Sequence, residues 1–212
     1  MRLKSLFFVL PVLLGGCASI YDVTPLVAES KQAAVQANND GLVVTHKNRI
    51  AVVPVKFAIN QFESPRFLVT VKNLGDTPFA FSTSNIEVTF NGQPGRVLSY
   101  EQQYEDIKNR LSFYNYGFRM PISFQYGYGR PFHLQPVFED SGDSLDIQIA
   151  LADLDHLHKY ALREKVLNPG DQYSGEVTLG NKLSASDMQH LNMQIKLEGD
   201  TYDFAFDYNV RH

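Results

Sequence analysis

From Asn48 onward, apolar and polar residues alternate along the chain with a period of two, the pattern of strands that bury one face and wet the other. Between Thr201 and Tyr208 the aromatics Tyr202, Phe204, Phe206 and Tyr208 alternate with Thr201, Asp203, Ala205 and Asp207. Just upstream, Met193, Ile195 and Leu197 alternate with Gln194, Lys196 and Glu198, and Gly199-Asp200 between the two runs suits a tight turn. The C-terminus is therefore expected to be a hairpin. Similar alternation runs through Ala51, Val53, Val55, Phe57 and Ile59, where Pro54 argues for an edge strand or a bulge. It returns in Phe67, Val69 and Val71, and in Ile86, Val88 and Phe90 ahead of the turn Asn91-Gly92. Two later runs are Leu145, Ile147, Ile149 and Leu151 against Asp146 and Gln148, and Tyr173, Val177 and Leu179 against Ser174, Glu176 and Thr178. About seven short antiparallel strands separated by turns predict a mainly β chain folded as a β-sandwich.

Two stretches between these strands have helical spacing instead. Tyr100, Tyr104, Ile107 and Leu111 predict an amphipathic helix over 99–112, with Glu101, Glu105 and Asp106 on its wet side. Leu154, Leu157 and Ala161 predict a second over 152–166, and the two are expected to cap an open end or face of the sandwich. Nearer the N-terminus, Thr24-Pro25 reads as an N-cap and first helical residue and Asn39 to Gly41 as a stop, so 25–38 is expected to be either a helix or a mobile tether.

The first residues are organised differently. Positive Arg2 and Lys4 precede the apolar run Leu6 to Leu14, followed by the small residues Gly15 and Gly16. That run is short of the roughly 20 apolar residues that cross a bilayer. Leu14-Gly15-Gly16-Cys17 resembles the lipobox of bacterial lipoproteins, an aliphatic residue and two small residues before a cysteine. The resemblance implies a diacylglyceryl thioether on Cys17, cleavage before it and acylation of the new amine. Buried acyl chains contribute about 0.8 kcal/mol per methylene, and two or more make anchoring stable. Ala18 in place of an aspartate implies transfer to the outer membrane, with the body expected in the periplasm. Three segments result: a signal peptide over 1–16, an anchor and tether over 17–41, and one sandwich domain over 42–212 carrying the helical and aromatic insert of about 99–166.

Composition narrows the choice of partners. Cys17 is the single cysteine, so the body beyond it must be stabilised by its core without disulfides. Roughly 170 residues from Gly41 onward are enough for that. The net charge is -4, and loss of Arg2 and Lys4 with residues 1–16 takes it to -6. An acidic chain with no Lys/Arg cluster is a poor match for nucleic acid or for electrostatic docking on anionic lipid. The expected partners are the membrane, through lipid on Cys17, and a protein of the cell envelope.

The phrases VTVKNLGDTPFAF, 69–81, and LNPGDQYSGEVTL, 167–179, resemble the immunoglobulin-like β-sandwich modules of secreted and lipid-anchored bacterial proteins. Asn73, Pro78, Pro169, Gly170 and Gly175 carry the resemblance, which covers about half of the chain. It implies a fold and no activity. The chain departs from the pattern in having no Trp, no intersheet disulfide and a long separation between the two blocks.

The segment FYNYGFRMPISFQYGYGRPF, 113–132, is the most unusual local feature, with eight aromatic residues beside Arg119 and Arg130. Tyr114, Tyr116, Tyr126 and Tyr128 could stack on a glycan or a protein partner, with Arg119 and Arg130 able to bind carboxylates. The same residues could instead fill the gap between sheet and helices. Asp153, Asp155, His156 and His158 form the densest set of potential metal ligands, but His156 and His158 point about 200° apart on a helix. They read as a solvated face, and Asp140, Asp143 and Asp146 as a turn, so no metal or cofactor is expected. There is no G-x-S-x-G elbow, H-E-x-x-H pair or phosphate loop. The leading expectation is a non-enzymatic, lipid-anchored interaction module. The alternative is a glycan or small-ligand binding module using 113–132.

Overall fold

A computed structural model describes residues 19–27, 32–37, 40–45, 49–117, 144–183 and 188–211. In chain order the first strands are β1 (Ile20–Leu26), β2 (Gln32–Ala37), β3 (Asp40–Thr45), β4 (Ile50–Pro54), β5 (Ala58–Asn60), β6 (Arg66–Lys72) and β7 (Phe79–Phe81). β8 (Ile86–Phe90), β9 (Gln93–Pro94) and β10 (Val97–Leu98) precede the helices α1 (Tyr100–Gly117) and α2 (Ser144–Tyr160). β11 (Lys165–Leu167), β12 (Gln172–Leu179), β13 (Met188–Leu197) and β14 (Asp200–Val210) complete the described chain.

The strands form two six-stranded sheets, β5-β1-β14-β13-β8-β9 and β10-β12-β6-β4-β3-β2, with β7 and β11 as a separate pair. Every strand pairing among the described residues is antiparallel. The inner faces share one core, in which Phe204, Phe206, Leu191 and Met193 of the first sheet meet Phe67, Val69, Val52 and Val177 of the second. The rings of Phe67 and Phe206 lie 4.8 Å apart across it. The described residues are thus mainly β, a β-sandwich of antiparallel sheets with two helices.

The period-two runs at 67–71, 86–90, 173–179 and 193–208 are strands with the expected faces buried. Asn91-Gly92 turns β8 into β9 with φ of 48° and 78°, the paired positive values of a type I′ turn. The C-terminal hairpin turns one residue earlier than expected, at Glu198-Gly199, with φ of 49° and 89° and Leu197 opposite Asp200.

Three expectations are corrected. The stretch 145–151 is helical, because its apolar residues also satisfy a three-to-four residue spacing. Ile147, Ala150, Leu151, Leu154 and Leu157 pack with Ile107 and Leu111 of α1, while Leu145 and Ile149 stay exposed. The second helix therefore starts at Ser144 and ends at Tyr160, and 165–167 is a strand. The first helix runs as expected but five residues further, to Gly117.

The second correction concerns Pro54. β4 is an interior strand between β3 and β6, and Pro54 is its last residue, opposite Phe67 and past the pairing with β3. The chain then crosses to the other sheet as β5, and β4 buries Ile50, Val52 and Pro54 rather than the expected Ala51 and Val53, while β5 buries Ile59 as expected.

The third is the tether. Where 25–38 was expected to be a helix or a mobile tether, the described residues there belong to strands: β1 lies in one sheet, and β2, followed by β3, in the other. Tyr21 and Val23 alternate with Asp22 and Thr24, which sends both apolar side chains into the core. Pro25 is tolerated for a geometric reason. The Val23 N–H donates toward β5, to Phe57 O at 2.8 Å, and alternate residues point the same way. The N–H that Pro25 lacks would face that flank where β5 has already ended. The alanine and glutamine content of 32–37 favours helix only weakly, and pairing with the β-branched run of β3 outweighs it.

Candidate functional site

The helices pack together through Ile107, Leu111, Ala150 and Leu157 and meet the sandwich where β12 has a free flank. There the chain leaves α2 at Ala161, bridges Glu176 and donates the Leu162 N–H to Glu176 O at 2.8 Å. Gly175 permits this approach, since a Cβ at that position would lie 2.7 Å from Leu162 Cα. Between helices and sheet lies a cleft of about 790 Å³, within the size range of small-molecule and peptide sites. Its lining includes Ile59, Phe62, Leu98, Ile107 and Leu157 together with charges of both signs.

Most of those charges are matched within the cleft. Lys56 Nζ is 3.0 Å from Glu63 Oε2, and Arg110 of α1 is 2.8 Å from Asp153 of α2. The third group joins three elements: Arg66 at the start of β6, Glu176 of β12 and His156 of α2. His156 Nε2 lies 2.9 Å from Glu176 Oε2, and Arg66 reaches the same oxygen at 3.4 Å. Arg66 also lies 3.1 Å from His156 Nε2. One ring nitrogen cannot both donate to the carboxylate and accept from the guanidinium. The well-buried Glu176 carboxylate decides between them, because a bare Nε2 facing it would set two lone pairs against each other. Nε2 therefore bears the ring hydrogen and donates to Glu176, and the Arg66 guanidinium reaches the same oxygen. The arrangement locks α2 onto the sheet and leaves a polar wall in the cleft.

On the other side of α2, His158 Nδ1 accepts from the Tyr100 hydroxyl at 2.7 Å, and the Arg163 guanidinium lies 4.1 Å from the Tyr100 ring centroid. Arg163 also donates to His158 O at 2.9 Å. Partial burial, and next the charge of Arg163, hold the His158 imidazole below the usual histidine range, against an opposing pull from Asp155. The folded protein thus resists a proton that the unfolded chain accepts. The stabilising contribution is complete above about pH 6.5 and is lost as pH falls below it toward the lower folded value. Urea midpoints of the parent protein should therefore drop between about pH 7.5 and about pH 5, and His158→Gln should reduce that drop.

The four residues expected to form a solvated helix face go separate ways. Asp153 pairs with Arg110, Asp155 with Lys159, His156 with Glu176, and His158 with Tyr100. Among the described residues no three His, Cys, Asp or Glu side chains are grouped as metal ligands. Of the proposed contact residues, Tyr114 and Tyr116 fall in the last turns of α1. Arg119, Tyr126, Tyr128 and Arg130, like Cys17, Asp140 and Asp143, lie outside the described residues. Asp146 is in the first turn of α2 rather than a loop. Arg66, Glu176 and Phe62 carried no signal as site residues, since each sits in an ordinary strand or turn pattern. No known protein-family model, curated protein or solved structure matches the chain.

Proposed function

We propose that the chain is a bacterial lipoprotein, cleaved before Cys17 and acylated there, whose sandwich serves as a non-enzymatic interaction module of the cell envelope. The observation that supports this reading is the order of Arg2 and Lys4, the short apolar run Leu6 to Leu14 and then Gly15-Gly16-Cys17. β1, which buries Tyr21, follows closely at Ile20–Leu26. Ala18 favours the outer membrane as destination, and the body then lies in the periplasm. The sandwich is proposed to be of the immunoglobulin-like kind, on the turns built by Asn73 and by Pro169-Gly170. The cleft beside α1 and α2 is the proposed contact site for a partner protein, since its mixed charges suit a polypeptide surface better than a single anion.

Cys17→Ser tests the anchor. The parent should carry the acyl mass and fractionate with outer membranes, whereas the variant should lose the acyl mass and remain an uncleaved precursor or leave the membrane fraction. Unchanged lipid labelling of the variant would sink the reading. For the module, a photo-crosslinker at Asp106 or Arg110, both lining the cleft from α1, should capture a discrete envelope protein in cells, and a crosslinker at Glu87, on the opposite sheet, should not.

A further inference from the structure

Two exposed apolar side chains lie at the end of the sandwich from which β1 starts. Ile20 pairs with Asn60, and the Gln61 N–H donates to Ser19 O at 3.1 Å, so the first described residues lie against the turn between β5 and β6. That turn is held by Asn60. Its side-chain oxygen accepts from the Phe62 N–H at 2.9 Å and from the Glu63 N–H at 3.1 Å, and its amide donates to Glu63 at 3.0 Å. Phe62 is thereby fixed at the tip of the turn with 63% of its surface exposed, and Ile20 is 45% exposed. Exposed singly, such residues need no explanation. Here they flank the point at which the chain comes from Cys17.

Only Ala18 and Ser19 lie between Cys17 and Ile20, and three extended residue steps span at most about 10 Å. An acyl chain on Cys17 is in the leaflet, so the Ile20 end must rest at the membrane surface. The opposite end is remote. The hairpin turn Glu198-Gly199 lies beyond the far end of β14, whose eleven residues span roughly 30 Å. Leu74, 51% exposed, belongs to that far end, because Thr77 of the same loop donates to Glu198 Oε1 at 3.3 Å.

We propose that the end of the sandwich formed by Ser19, Ile20 and the Asn60–Glu63 turn is a bilayer-seating surface, with Phe62 and Ile20 entering the boundary between lipid headgroups and acyl chains. This rests on the lipidation of Cys17 argued above and adds an orientation to it. The partner is the lipid leaflet itself. The interaction is apolar, since the body is acidic, and it deepens anchoring only once the acyl chains have brought the end within reach. Phe62, Glu63 and Ser64 also line the cleft, so the cleft opens beside the membrane and not at the far end.

The chain has no tryptophan, which makes a single introduced indole a clean reporter. Phe62→Trp and Leu74→Trp would each be made in the full chain, purified from membranes and checked for the acyl mass on the Cys17 peptide. Both would be reconstituted in phosphatidylethanolamine–phosphatidylglycerol vesicles, with and without brominated acyl chains. Phe62→Trp should emit to the blue of Leu74→Trp and lose intensity to the brominated chains, while Leu74→Trp keeps its intensity. Added salt should leave the difference unchanged. An acylated protein in which both indoles emit as in water and escape quenching overturns the seating surface but leaves the anchor standing. Equal quenching of both overturns the end-on orientation. Absence of the acyl mass overturns the anchor and the seating surface together.

Discussion

Phe206→Ala is expected to remove about 3 to 5 kcal/mol of stability, among the largest losses a single substitution can cause in this chain. Phe206 is fully buried in the interior strand β14, opposite Pro25 on one side and Leu191 on the other. Its ring is 4.8 Å from that of Phe67, which belongs to the other sheet. The contact therefore joins the two layers, and truncation removes the transfer free energy of the ring and opens a void between sheets that backbone pairing keeps apart. Flanking residues cannot collapse into it without distorting β6 or β14. Urea unfolding followed by circular dichroism should show the midpoint falling with the slope unchanged. Phe62→Ala provides the contrast, since its ring is mostly in water and its loss should stay within about 0.5 kcal/mol. If Phe206→Ala cost under about 1 kcal/mol, the two sheets would not share the core described.

The same strand shows why some of the fold could be read in the sequence. Alternating aromatics on Tyr202 to Tyr208 admit one buried face, and a slip of one residue would expose all of them. Asn91-Gly92 was legible because those two residues readily take positive φ. Glu198-Gly199 was not, since glutamate is an uncommon choice for the first such position, and the turn reads more naturally one residue later. The error at 145–151 has another cause. Leu145, Ile147, Ile149 and Leu151 alternate, yet Ile147, Ala150 and Leu154 also follow helical spacing, and only the presence of α1 decides between the two periods. For 25–38 the local signals admit a helix or a tether, and in β1 and β2 pairing with β14 and β3 overrides them.

The cleft was less legible than the fold, because its polar wall is assembled across long separations. Arg66 and Glu176 are 110 residues apart, and Arg66 and His156 are 90 apart. Neither residue breaks the pattern of its own element. His156 stood out in the sequence only through three neighbours with which it shares no ligand geometry. The acidic and histidine-rich turn of α2 instead consists of separate pairs that fasten the helix to α1 on one side and to β12 on the other. The residues that carried the immunoglobulin-like resemblance prove to be those that shape the chain at turns and close approaches, and Asn73 is the most demanding of them.

Asn73→Ala is accordingly expected to cost roughly 2 to 4 kcal/mol although it removes few atoms. Asn73 is fully buried. Its amide donates to Thr77 O at 2.8 Å and to Leu167 O at 2.9 Å, and its side-chain oxygen accepts from the Gly75 N–H at 2.9 Å. Its backbone is equally committed, donating to Asp171 O and accepting from the Gly170 N–H, each at 2.9 Å. One side chain thus ties the loop after β6 to the end of β11, while its main chain holds the Pro169-Gly170 turn, where Gly170 has a φ of +85°. Alanine leaves two carbonyls and one N–H without these partners, and each such group costs about 1 to 3 kcal/mol where water cannot replace the bond. Asn73→Asp separates hydrogen bonding from volume. It keeps the size and the acceptor for Gly75 but presents oxygen to both carbonyls, so it should destabilise at least as much as alanine above the carboxylate's titration range. Urea midpoints of both variants near neutral pH check the order. A tolerated aspartate would mean that Asn73 acts by filling space. Because this end lies away from Ile20 and Phe62, both variants should retain the parent's membrane fractionation at temperatures where they remain folded.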